Sequence, residues 1–124
     1  MLPSLPLAEL AASLTEYWSP RVVAEIEDSY VKVAKLLGSL TWHSHAQEDE
    51  LFFVLKGHLR IELEHGGVVE LPTGSLYVVP KGVRNNPVAE QECHIMLLEK
   101  KQTLHTGEVV TANTRSLTEQ LRPV

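Results

Sequence analysis

The 124-residue chain is poor in the features that would assign it to several large classes of protein. It has one cysteine, Cys93, so no disulfide can form within it, and a reducing compartment is expected. It has no cluster of Lys and Arg; Glu99-Lys100-Lys101 is the densest basic stretch and is too short to track a phosphate backbone. With 16 acidic against 11 basic residues the net charge is -5, so binding to DNA or RNA would gain nothing from counterion release, and nucleic acid is not expected as a partner. No apolar run approaches the roughly 20 residues needed to span a bilayer, so no membrane association is expected. The N-terminal Met1-Leu2-Pro3-Ser4-Leu5-Pro6-Leu7 is apolar, but it lacks a basic region, carries two prolines and soon meets Glu9, which argues against a signal peptide. A cytoplasmic protein is expected. There is no internal repeat and no low-complexity block.

What is present fits one ordinary domain. Apolar residues make up 44 % and charged residues 22 %, close to the average for globular proteins, and the length suffices for one core. Leu7, Leu10, Leu14 and Tyr17 recur at helical spacing, which predicts a short helix within Leu7–Trp18, entered through Pro6 and capping one end of the core. Beyond Pro20 the pattern turns to strands. Arg21–Ile26 and Tyr30–Leu37 are separated by a Glu27-Asp28-Ser29 turn. Leu40–Ser44 is a further predicted strand. Leu51–Leu55 is apolar on both faces, which predicts a central strand packed within the monomer or across a dimer. Leu59, Ile61 and Leu63 alternate with polar residues and mark a buried face. Gly66-Gly67 makes a hairpin turn, followed by strands at Val68–Leu71, Leu76–Val79 and His94–Leu98. The expected layout is an N-terminal helical segment (residues 1–20), an all-β barrel or sandwich (21–107) and a polar tail (108–124), either loose or laid on a neighbouring subunit.

His43 and His45 lie two apart on a predicted strand, so both imidazoles fall on one face. Glu50 follows a turn. Two imidazoles and a carboxylate suit Fe, Mn, Ni, Co or Zn as divalent ions. A His-x-His pair alone is weak evidence, but the flanking residues extend it. Gly38-Ser-Leu-Thr-Trp-His43-Ser-His45-Ala-Gln-Glu-Asp-Glu50, closed by Gly57, resembles the first motif of the cupin superfamily. Gly74-Ser-Leu-Tyr-Val-Val-Pro80-Lys-Gly82-Val-Arg84-Asn85 resembles the second. The surrounding residues are similar to small one-domain cupins loosely labelled mannose-6-phosphate-isomerase-like, over most of residues 7 to 107. Sugar-phosphate isomerases of that type are larger and carry catalytic residues absent from this chain.

The resemblance implies a double-stranded β-helix, or jelly-roll barrel, with a short N-terminal helix, and a homodimer. It implies a divalent transition metal held by His43, His45 and Glu50, and a small polar or anionic ligand. The family's last histidine falls at Asn85, a neutral and weaker ligand. Three sites follow: weak coordination by Asn85, a bare two-histidine, one-carboxylate triad of the kind used by non-haem oxygenases, or a pocket without metal in which Glu50 acts as a base. The activities considered are those of a metal-dependent oxygenase or isomerase; the alternatives are a metal-free binding barrel and a structural or regulatory dimer. His94 is a candidate substitute ligand, with a place in a partly polar wall the expected reading; Asp49 competes with Glu50; and Arg84 is a candidate anion contact beside the mouth but is expected to face solvent. Trp42 is expected on the outer side and Phe52 on the pocket floor. His58, His65 and His105 are expected at the surface, and Cys93 as an inert buried residue.

Overall fold

The computed structural model describes residues 3–124; Met1 and Leu2, the start of the apolar N-terminal stretch, lie outside the described residues. The elements are α1 (Leu7–Ala12), β1 (Arg21–Ile26), β2 (Ser29–Ser39), β3 (Glu50–Lys56), β4 (His58–Leu63), β5 (Val68–Pro72), β6 (Leu76–Val79), β7 (Asn85–Lys100) and α2 (Leu117–Gln120). The strands run β1-β2-β7-β3-β6, all antiparallel, while β4 and β5 pair with each other and β4 also pairs with the first part of β7. β7 thus serves both walls of an all-β barrel: Asn85–Val88 bond β4, His94–Glu99 bond β3, and β2 follows most of its length.

Register explains why one end of the barrel is polar. Tyr30, Glu99, Glu50 and Val79 lie opposite one another across β2, β7, β3 and β6. The next inward row is Lys32, Leu97, Phe52 and Tyr77, and beyond it come Ala34, Ile95 and Val54. The period of two along each strand sends these rows into the barrel and the intervening residues outward. Below the polar end, the closed core contains Leu36, Val54, Leu59, Ile61, Leu71, Ala89, Cys93 and Ile95. Each large aliphatic side chain buried there contributes about 1.5–3 kcal/mol.

The predicted helix is shorter than its apolar spacing. Ser13 ends α1, its hydroxyl donating to the Leu10 carbonyl, and Trp18 takes a φ of 56° that no helix allows. The Trp18 indole N–H donates to the Leu37 carbonyl at 2.8 Å and anchors the chain against β2. α1 packs on the outside of the sheet, with Ala11 and Leu14 against Val33, rather than capping the barrel end. The predicted Leu40–Ser44 strand is irregular: only His43 forms a ladder bridge, to Asn85. The predicted strand at His94–Leu98 is the later part of a longer β7.

The segment after β7 folds back on its own barrel. Ser116 and Glu119 form a capping box that starts α2, and buried Gln120 bonds Lys32. Arg115 and Arg122 both reach the Ser19 hydroxyl, at 3.3 and 3.4 Å. No helix among the described residues is long and apolar enough to cross a membrane.

Candidate metal centre

His43, His45 and Glu50 meet at the polar end of the barrel. Their ligating atoms lie within 4.8 Å of one another, and all three side chains are buried. Glu50 gets there as the first residue of β3, inward by the parity of Phe52 and Val54. The two histidines come from the irregular segment between β2 and β3, which is nevertheless fixed. His43 exchanges two backbone hydrogen bonds with Asn85, of 3.0 and 2.8 Å, and the His45 carbonyl accepts from the Gly82 N–H at 2.8 Å. Asp49 is exposed and accepts from the Lys81 N–H, so it ties down the loop and leaves Glu50 as the inward carboxylate.

The protonation pattern follows from the partners. His43 Nδ1 lies 2.9 Å from the Thr41 carbonyl, which can only accept, so Nδ1 carries the proton and Nε2 keeps a free lone pair. The two rings meet edge to face with centroids 5.1 Å apart. His45 Nε2 is buried without a hydrogen-bond partner, 3.7 Å from Glu50 Oε1. Burial lowers the pKa of both imidazoles, that of His45 to about 4, so both are neutral bases at neutral pH.

Behind Glu50 lies a charge network. Glu99, the cross-strand neighbour of Glu50, accepts from Lys32 Nζ at 2.6 Å, and Lys32 also donates to Gln120 Oε1 at 2.6 Å. Lys32 is 1 % exposed. Burial, reinforced by the adjacent Glu99 carboxylate, pushes the Glu50 pKa well above the usual carboxylate range. Burial also acts to raise Glu99, but the hydrogen bond from Glu50 and the Lys32 ammonium outweigh it and hold Glu99 ionised. Without a cation the two adjacent carboxyls are thus pushed in opposite directions, Glu50 toward the neutral acid and Glu99 toward the carboxylate.

Asn85 is fully buried beside His43. Its Nδ2 faces the carbonyls of Val83 and His43 at 3.3 and 3.5 Å, and its Oδ1 is buried with no partner. The free space inside the barrel is about 20 Å³, bounded by His43, Glu50, Phe52 and Trp18 among others, which is room for about one water.

Several expectations are met. Phe52 lines this space, His58 and His65 are exposed, and Cys93 is buried in apolar surroundings that push its thiol up to about 11. Two candidates take their expected non-ligand places, and one expectation is corrected. His94 lies on the face opposite Cys93 and Ile95 and bonds Glu92 at 2.9 Å, so it is no substitute ligand. Arg84 is exposed, its guanidinium 5.8 Å from the Trp42 ring, and does not line the barrel interior. His105, expected at the surface, lines the interior together with His43 and Glu50, because the segment after β7 turns back over the polar end. Lys32 and Glu99 were not singled out from the sequence. The available signal was parity: Glu99 follows Cys93, Ile95 and Leu97 on the inward face, and Lys32 precedes Ala34 and Leu36.

Comparison with known proteins agrees with this architecture. The family model described as the cupin domain matches residues 30–99, more than half of the chain. The uncharacterized protein YdbB of Bacillus subtilis is 32 % identical over 76 residues, covering 61 % of this chain and 67 % of that protein. The crystal structure of a cupin-2 domain containing protein from Shewanella frigidimarina is 41 % identical, with a TM-score of 0.70, over 73 % of this chain and 87 % of that one. A Neisseria meningitidis protein of known structure is 29 % identical, with a TM-score of 0.73, over 80 % of this chain and all of that one. The barrel, the spacing of its motifs and these matches agree: the chain belongs to the cupin family.

Proposed function

We propose that this cupin binds one divalent transition metal through His43 Nε2, His45 Nε2 and Glu50, with Asn85 Oδ1 as a weak fourth ligand, and acts on a small anionic molecule at that centre. The observation that carries the reading is His45 Nε2, a buried acceptor without a partner, within 4.8 Å of the ligating atoms of His43 and Glu50; Asn85 Oδ1, on the residue bridged to His43, is a second buried acceptor without a partner. Leaving such atoms unpaired costs about 1–3 kcal/mol each, and a cation is the partner that suits lone pairs alone. Two imidazoles and a carboxylate favour Fe, Mn, Ni, Co or Zn over Mg or Ca.

The bound metal would supply Lewis acidity toward an oxygen of the substrate. The protein's own groups do the rest. Thr41 fixes the His43 tautomer, Glu99 and Lys32 hold Glu50 in place and keep the charge balanced, and the apolar walls of Phe52 and Leu97 exclude water. Oxygenase and isomerase chemistry are the two reaction classes we assign to this arrangement. A cytoplasmic location belongs to the same proposal.

The test is elemental analysis of untagged protein purified without added metal. Near-stoichiometric Fe, Mn, Ni, Co or Zn is expected, and Asn85→His should then tighten metal binding roughly tenfold, since imidazole is the stronger ligand. Protein that stays metal-free after exposure to Fe(II), Mn(II), Ni(II) and Zn(II) would overturn the reading in favour of a metal-free binding barrel.

A further inference from the structure

The ring of His105 enters the same space from outside the two cupin motifs, on the segment after β7. Its Nδ1 accepts a hydrogen bond from the backbone N–H of Arg115 at 2.9 Å. An amide N–H can only donate, so Nδ1 holds a lone pair and the proton of the neutral ring sits on Nε2. That is the reverse of His43, whose Nδ1 donates to a carbonyl. One ring therefore offers the cavity a lone pair and the other an N–H. Burial depresses the His105 pKa to about 4, which keeps this ring in its neutral form.

The arrangement is firmly built. Gly107, at φ +60°, brings the segment so close to Ser44, between the two metal-site histidines, that a Cβ there would lie 2.1 Å from the Ser44 carbonyl oxygen. Arg115 is held by Gln120 Nε2 donating to its carbonyl at 3.1 Å and by its own guanidinium on Ser19. The other side of Gln120 receives Lys32. The tautomer of His105 is thus set by the same C-terminal segment that completes the charge network.

We propose that His105 is a substrate-binding residue: its Nε2–H donates a hydrogen bond to the oxygen of a small monoanion, of the carboxylate or enolate class, bound at the metal. This rests on the metal reading above. With a divalent ion in place, ionised Glu50 and Glu99 and cationic Lys32 leave one unit of positive charge at the centre, which a monoanion neutralises. A lone pair on Nε2 would instead have made His105 a further metal ligand; the Arg115 amide, by placing the proton on Nε2, excludes that role.

Formate is the probe, bound to Co(II)-loaded protein and followed by the visible absorption of the ion. In His105→Leu, Co(II) affinity measured by chelator competition should stay within about twofold of wild type. Formate affinity should fall about tenfold, the equivalent of one hydrogen bond to a charged group, and His105→Gln, which keeps a donor, should stay within about threefold. Unchanged formate affinity in the Leu variant, or a Gln variant as weak as Leu, overturns the donor role. A loss of Co(II) affinity beyond about tenfold makes His105 a metal ligand instead. In metal-free protein, long-range ¹H–¹⁵N correlation should place the ring proton on Nε2, and finding it on Nδ1 overturns the assignment without reference to any metal. Wild-type protein that binds no Co(II) overturns the metal reading and the formate site together, whereas a failure confined to the His105 variants leaves the metal reading standing.

Discussion

A lysine that is 1 % exposed inside a barrel is costly unless its charge is answered, and Lys32 is answered by Glu99 and Gln120. Removing one member strands the other. Lys32→Met should destabilise the protein by about 3–5 kcal/mol in urea unfolding, and Lys32→Met with Glu99→Gln should recover much of that loss. A double variant that loses the sum of the two single losses would show that the pair is not coupled. His45 gives a pH-dependent counterpart. Its folded pKa of about 4 lies below the ordinary value of 6.5, so its stabilising contribution is complete above pH 6.5. As pH falls toward 4, the unfolded chain takes up a proton that the folded ring refuses, and stability is lost. In chelator-treated protein, His45→Gln should therefore gain on wild type by on the order of 2 kcal/mol between pH 7 and pH 5. A constant difference between the two proteins across that range would contradict the burial argument.

At the scale of elements, the C-terminal segment works as part of the barrel wall. Gln120→Ala removes an acceptor from the Lys32 ammonium and a donor from the Arg115 carbonyl, and should cost about 1–3 kcal/mol. Amide exchange should quicken first in residues 101–124. Most strands, and the inward placement of Glu50, were legible in the sequence because a period of two needs only local spacing; His43 and His45 also come together with Glu50, but from an irregular segment held by Asn85 and Gly82 rather than by strand alternation. What was not legible depended on contacts between distant segments. The polarity of residues 111–124 reads as a solvated tail, yet a capping box and one buried glutamine dock it. His105 lies in a polar, aperiodic stretch, so nothing local signals that a backbone amide ten residues on will turn it inward. Asn86–Glu92 carry too few apolar residues to read as strand; β2 and β4 supply partners for Asn86–Ala89, and Glu90–Glu92 fall in the irregularity opposite Leu36 and Gly38.

The outer surface of the whole molecule bears on assembly. Val31, Leu98, Leu51 and Val78 form one outward row across four strands, and Val33, Met96, Phe53 and Leu76 form the next. α1 covers the Val33 end, but Leu76 remains 56 % exposed. Two adjacent apolar rows on a sheet face suit packing against a second copy, and we propose a homodimer through this face. Light scattering should give twice the 13.8 kDa chain mass, and Leu76→Glu with Val78→Lys should return it to one. A monomeric wild type would refute the proposal.

The free interior of about 20 Å³ has a kinetic consequence. Anything larger than a water or two needs part of the wall to move, and if that part is the C-terminal segment carrying His105, observed affinity is the intrinsic affinity scaled by the fraction of time the segment is lifted. A variant that loosens this closure should melt earlier and yet admit small anions faster. The same contacts that hold the protein together would then be the ones that slow its binding.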